Sequence, residues 1–133
     1  AKRRIKIMLN DQDDQEEYFI NGIENRIEQI IANLLDNSIS FSEDNKKILV
    51  EIYKGDKDKI ILKVIDDGKG FIEIDTKKIF DRFYTNRPDT FGEHSGLGLN
   101  IVKNLVDLHS ATINASNNIT QKGANVEIVF PKV

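Results

Sequence analysis

The sequence predicts an α+β fold, a two-layer sandwich with helices packed on one face of a mixed, mainly antiparallel sheet. Three observations predict it. Residues 24–40 and 99–108 repeat apolar side chains at helical spacing. Shorter stretches rich in β-branched and aromatic residues have the length of strands. These strands come in pairs between the helices instead of alternating singly with them, which is the order of an α+β domain.

At the start, "RIKIML" (4–9) and "YFINGI" (18–23) flank the acidic run "NDQDDQEE". The run predicts a solvated turn, and the two flanks are expected to pair as a first hairpin. From Glu24 to about Ser40, the residues Ile23, Ile27, Ile30, Ile31, Leu34 and Leu35 form a wide apolar stripe, a core helix. At about 100° per residue, Arg26, Asn33, Asn37 and Ser40 fall in a narrow polar stripe beside it, facing a cavity or solvent.

"KILVEIYK" (47–54) and "KIILKVID" (59–66) predict two strands joined by "GDKD". "TKKIFDRF" predicts a short helix, followed by a long loop with Pro88, Gly92 and Gly96. Loops of that length in a compact domain are usually functional or disordered. Leu99, Ile101, Val102, Leu105, Val106 and Leu108 then predict a second amphipathic helix. "ATINASN" and "ANVEIVF" are the last strands, with Gly123 turning between them.

One domain is expected across residues 1–133, because this length suits a single core. With 39% apolar and 31% charged residues and only two prolines, the composition is that of a soluble globular chain, not a disordered one. Nineteen basic and 22 acidic side chains leave a net charge of -3, which argues against nucleic acid or an anionic membrane surface as partner. There is no cysteine, so disulfides, cysteine-ligated zinc and thiol catalysis are excluded. Two histidines are too few for a histidine-built metal site. No apolar run approaches the roughly 18 residues of a membrane span. The chain opens on Ala1 without an initiator methionine, and is expected to be a piece of something larger.

Four short patterns carry chemistry. "DDGKG" sets Asp66 at a strand end before Gly68 and Gly70, where a carboxylate can accept from an exocyclic amine and glycines let backbone approach a flat ligand. Read locally, it is also a tight turn with an Asx-type bond. "SGLGL" opens a helix with Ser95, Gly96, Leu97, Gly98 and Leu99, where first-turn N–H groups favour an anion. Asn33 and Asn37 offer neutral oxygen ligands, and Mg²⁺ prefers oxygen and binds jointly to protein and substrate phosphates. Arg82 and Arg87 follow "KIF", where a guanidinium can reach phosphate oxygens.

Taken in order, N-x-x-x-N on a helix, D-x-G-x-G after a strand, "IFDRFY" and S-G-L-G-L before a helix closely resemble the N, G1, F and G2 boxes of the catalytic ATP-binding domain of sensor histidine kinases, in the GHKL ATPase superfamily. The likeness spans about 18–131. It implies a Bergerat-type fold with a flexible lid over 84–97. It implies that Asp66 hydrogen-bonds the adenine amino group, in a pocket shaped by Gly68 and Gly70. Asn37, assisted by Asn33, would ligate Mg²⁺. Ser95, Gly96, Leu97, Gly98 and Leu99 would admit the phosphates of ATP, with Arg82 at the γ-phosphate and Arg87 near it. Phe80 and Phe83 would anchor the lid. Asn33, Asn37 and Arg82 are thus the expected catalytic residues.

The activity implied is transfer of the γ-phosphoryl group to a histidine on a separate dimerisation domain of the same full-length kinase, with a response regulator downstream. That histidine lies outside these residues. His94, beside its own nucleotide pocket, is not expected to be the acceptor, and His109 is expected to cap or pack. The resemblance also implies a cytoplasmic domain without direct membrane contact, in a sensor anchored in a bacterial inner membrane. Many relatives carry a lysine where Ser40 stands and a glycine where His94 stands, which shifts the cationic phosphate contact toward Arg82, Arg87 or Lys103. Hydrolytic branches of the superfamily carry a glutamate as base where Asn33 stands, and an amide cannot take a proton from water. Serine kinases of the anti-sigma type share the asparagine boxes without a developed "IFDRFY". A non-catalytic nucleotide-binding module is the third alternative.

Overall fold

Along Ile60–Asp66 (β3) buried and half-buried residues alternate at every step, and Ala124–Phe130 (β5) repeats the same pattern. Period-two burial means that one face of the sheet meets a core while the other meets water. The computed structural model describes residues 6–11, 18–41, 47–68, 70, 76–81, 98–118 and 123–133. With Lys6–Asp11 (β1), Lys47–Lys54 (β2) and Thr112–Asn117 (β4), these strands form one five-stranded sheet in the order β1-β2-β3-β5-β4.

The β2–β3, β3–β5 and β5–β4 pairs are antiparallel, and β1 runs parallel to β2. The register stacks apolar rows across the sheet. Ile52, Leu62, Ile128 and Ile113 form one row, and Val50, Val64, Val126 and Ala115 the next. On the opposite face, which also carries Ile61, Ile65 and Val129, Lys63 lies 3.6 Å from Glu127 and 5.4 Å from the centre of the Tyr53 ring, a polar cross-strand cluster.

Two helices cover the apolar face. Glu24–Phe41 (α1) buries Ile30 and Leu34 and packs Ile27, Ile31 and Leu35 against the same cluster. It begins with the Arg26 and Ile27 N–H groups donating to the Ile23 carbonyl, and Glu24 in the first turn suits the positive end of the helix dipole. Gly98–Leu108 (α2) buries Leu99, Val102 and Val106 against α1 and the sheet. It ends in a two-bond closure, Ser110 N–H to the Asp107 carbonyl and Ala111 N–H to Val106, with Ser110 at φ 56 in the left-handed position that glycine usually takes. A short 3₁₀ helix, Thr76–Phe80, sends Ile79 and Phe80 into the core.

The predicted sandwich is the observed one, with helices on one face and a mixed, mainly antiparallel sheet. The predicted first hairpin is not observed. Residues 18–23 form no strand, and β1, which runs two residues further than expected into the acidic run, pairs with β2 instead. Tyr18 and Ile20 pack on the core while Phe19 is exposed, so this segment alternates in burial as a strand would. The unit β1–α1–β2 uses α1 as the crossover that parallel strands require. Among the described residues no helix is long and apolar enough to cross a membrane.

Candidate functional site

The alternation of β3 runs Ile60, Leu62, Val64, and then, where a fourth apolar residue belongs, Asp66. The carboxylate is therefore turned toward the helices at the rim of the core, and Asp66 is only 3% exposed. Its Oδ1 accepts the Gly68 N–H at 2.9 Å, the Asx-type bond that the local sequence predicts, and the Ala124 N–H at 3.2 Å. The Ser38 hydroxyl donates to the same carboxylate. Burial pushes the Asp66 carboxyl above the ordinary carboxylate range and the charge of Asp67 adds to this, while the bonds from Gly68, Ala124 and Ser38 act the other way. An ionised carboxylate accepts only, with about four lone-pair sites, so the fixed donors leave room for a ligand's N–H.

Gly68 and Gly70 are both buried beside Asp66. Gly70 has φ +79, and a Cβ there would meet Asn117 Oδ1 at 2.6 Å and the Gly123 carbonyl at 3.2 Å. The need for glycine at 70 thus comes from seating the loop on the β4–β5 turn, a packing reason that the sequence did not disclose.

Asn33 and Asn37 are half-buried on α1, beside the buried stripe rather than within it, as the polar stripe predicts. Asn37 precedes Ser38, whose bond to Asp66 brings this end of α1 to the strand-end carboxylate. Gly98 opens α2, and a Cβ added there would meet nothing within 4 Å. Packing within the described residues does not demand glycine at 98, and the unused space lies at a helix N-terminus, where N–H groups lack intrahelical partners. The Leu99 side chain belongs to the core, at 8% exposure, as the apolar stripe of the second helix predicts. Lys103 is engaged by Asp107, with Nζ 2.6 Å from Oδ1 one helical turn away. Phe80 is buried, and its carbonyl accepts from the Asn100 side chain at 3.0 Å, tying the 3₁₀ helix to the first turn of α2. Arg82, Phe83, Arg87, His94, Ser95, Gly96, Leu97 and the predicted lid lie outside the described residues.

Ser38 went unread in the sequence, although its spacing of four from Leu34 and eight from Ile30 places it on the buried face of α1. His109 packs as expected. It is buried, and its ring bonds the Leu105 carbonyl through Nδ1 at 2.7 Å and accepts the Ile23 N–H at Nε2, 3.1 Å.

A sheet with both helices on one face and a buried acid at the end of a central strand, facing them, places the protein among the Bergerat-type ATPase folds. The profile of the histidine kinase-, DNA gyrase B- and HSP90-like ATPases matches residues 22–133, and the chain belongs to that family. It is 39% identical over 109 residues to the sensor protein ChvG of Agrobacterium fabrum, an alignment covering 80% of this chain and 18% of that protein. Over 109 residues it is 37% identical to the histidine-protein kinase ArlS of Staphylococcus aureus, covering 79% of this chain and 23% of ArlS. The chain therefore spans about a fifth of the length of these relatives. Among solved structures, the mycobacterial sensor histidine kinase MprB superposes with a TM-score of 0.81 at 25% identity, over 96% of this chain and 81% of that one.

Proposed function

We propose that this chain is the catalytic ATP-binding domain of a sensor histidine kinase, which presents Mg-ATP to a histidine on a separate dimerisation domain of the same kinase. The observation that carries this reading is the buried Asp66 carboxylate, held by two backbone N–H groups and the Ser38 hydroxyl beside an amide-bearing helix. A fixed acceptor in a dry setting selects a donor such as the adenine amino group and rejects a carbonyl in its place, because an unpaired buried polar group is costly.

The residues present fit the cofactors. Among the described residues no group of three or more His, Cys, Asp or Glu can hold a metal ion. In this reading Mg²⁺ arrives with the phosphates and takes an amide oxygen, for which Asn37, with Asn33 a turn away, is the donor. Gly98 leaves room for a phosphate at the start of α2. In this reading Gly68 and Gly70 shape the floor of the adenine pocket, and Ser95, Gly96, Leu97 and the Leu99 backbone lead to the phosphates. Arg82 and Arg87 supply positive charge from the segment that follows Phe80. ATP, when bound, supplies the γ-phosphoryl group, and this chain's own residues orient it and offset charge, the main requirements of phosphoryl transfer. The final acceptor is a response regulator, and the domain works on the cytoplasmic side of a membrane-anchored bacterial sensor.

Calorimetric titration with a non-hydrolysable ATP analogue, with and without Mg²⁺, tests this reading. Saturable one-to-one binding strengthened by Mg²⁺ supports it. Absence of binding at millimolar ligand rejects it and leaves an interaction module that has kept only the fold.

A further inference from the structure

The ladder between β3 and β5 ends at the pair Ile65 and Asn125, one residue short of Asp66. The Asp66 main-chain carbonyl therefore lies beyond the last β5 pair, and its partner is a side chain. Asn118 Nδ2 donates to it at 3.0 Å across 52 residues of sequence. The main-chain N–H of Asn118 donates to the Gly123 carbonyl at 2.9 Å, closing the β4–β5 turn. At the far side of that turn the Ala124 N–H reaches the Asp66 Oδ1. One turn thus grips Asp66 at both its peptide and its carboxylate, and Gly70, farther along the same loop, rests on it as well.

We infer that Asn118 is a positioning residue of the adenine site, holding the peptide that carries Asp66 and so the direction in which its carboxylate faces the ligand. This rests on the reading of Asp66 as the adenine acceptor. Asn118 itself need not touch nucleotide. Its effect is confined to the bond between the carboxylate and the 6-amino group, whereas phosphate and ribose contacts are made elsewhere.

The test compares binding of ATP with binding of purine riboside triphosphate, which lacks the 6-amino group, to this chain and to its Asn118→Ala, Asn118→Leu, Asp66→Asn and Asn118→Ala/Asp66→Asn variants. Asn118→Ala is expected to weaken ATP about 3- to 10-fold, as loss of one orienting hydrogen bond does, and to leave the analogue within about twofold. In the double variant the two losses are expected not to add, because both act through one contact. Asn118→Leu keeps the approximate shape and removes the donor without adding a charge, so it takes the place of the alanine variant if that one does not fold. Equal losses for both nucleotides, or additive losses, overturn the role of Asn118. Loss of discrimination in Asp66→Asn but not in Asn118→Ala overturns Asn118 alone. If the unmodified chain does not distinguish the two nucleotides, the adenine reading of Asp66 falls, and the role of Asn118 with it.

Discussion

A Cβ at position 123 would lie 1.9 Å from the main-chain oxygen of Asp66. Strand β5 begins against that carbonyl with no room for a side chain, and Gly123 has φ +132, a conformation that L residues rarely adopt. The start of the last strand and the acid at the end of β3 are therefore one packed unit.

Gly123→Ala is expected to destabilise the fold by at least about 2 kcal/mol, from overpacking and backbone strain together. Urea unfolding measures it. A loss below about 0.5 kcal/mol, the range of an ordinary surface change, would show that the turn moves aside easily.

Asp66→Asn separates stability from binding. Burial raises the folded carboxyl above its ordinary value of 3.8, so the folded state holds the proton more firmly than the unfolded chain. Stability from this group is then fully present below pH 3.8 and falls as pH rises through the folded value. At neutral pH the buried charge is a net cost that asparagine removes. The variant is expected to be at least as stable as the parent at pH 7, to lack this decline, and to bind ATP more than about tenfold more weakly. Urea midpoints of both proteins from pH 4 to 7, with calorimetric titration, check all three. A less stable variant at pH 7 would mean that the three donors outweigh burial.

Asn37→Ala is expected to abolish most of the gain in nucleotide affinity that Mg²⁺ gives, and to change metal-free binding by less than about twofold. Parallel titrations with Mg²⁺ and with a chelator decide it, and an unchanged Mg²⁺ response would remove Asn37 from the metal site.

His109 ties the end of α2 to the residue that starts α1, and its two ring bonds require the tautomer with hydrogen on Nδ1. His109→Phe keeps a ring but leaves the Ile23 N–H without its acceptor. The expected cost is about 1 to 3 kcal/mol, with faster amide hydrogen exchange at the first turn of α1. Unaltered exchange there would show that the ring only fills space.

The boundaries of α1, β2, β3, β4 and β5 are legible in the sequence to within a residue or so, because each is an apolar-periodic or β-rich run with a polar or glycine stop. The position of Asp66 at a strand end and its Asx-type bond to Gly68 are legible in the local sequence, while its role comes from the resemblance of the combined motifs. The segment 18–23 misleads because alternation records which side faces the core, and Tyr18 and Ile20 satisfy it by packing on that core outside any strand.

The sequence by itself determined the two-layer α+β architecture, the helices, the antiparallel strands and the motifs that name the family. These follow from local periodicity and turn chemistry, which neighbouring residues carry. Only the tertiary structure decided that β1 lies parallel beside β2, and that Ser38, Asn118, Gly123 and Ala124 converge on Asp66. Contacts made across 52 and 58 residues leave no periodic trace, because a single directed hydrogen bond or a missing Cβ requires one partner at one place and nothing of the residues in between.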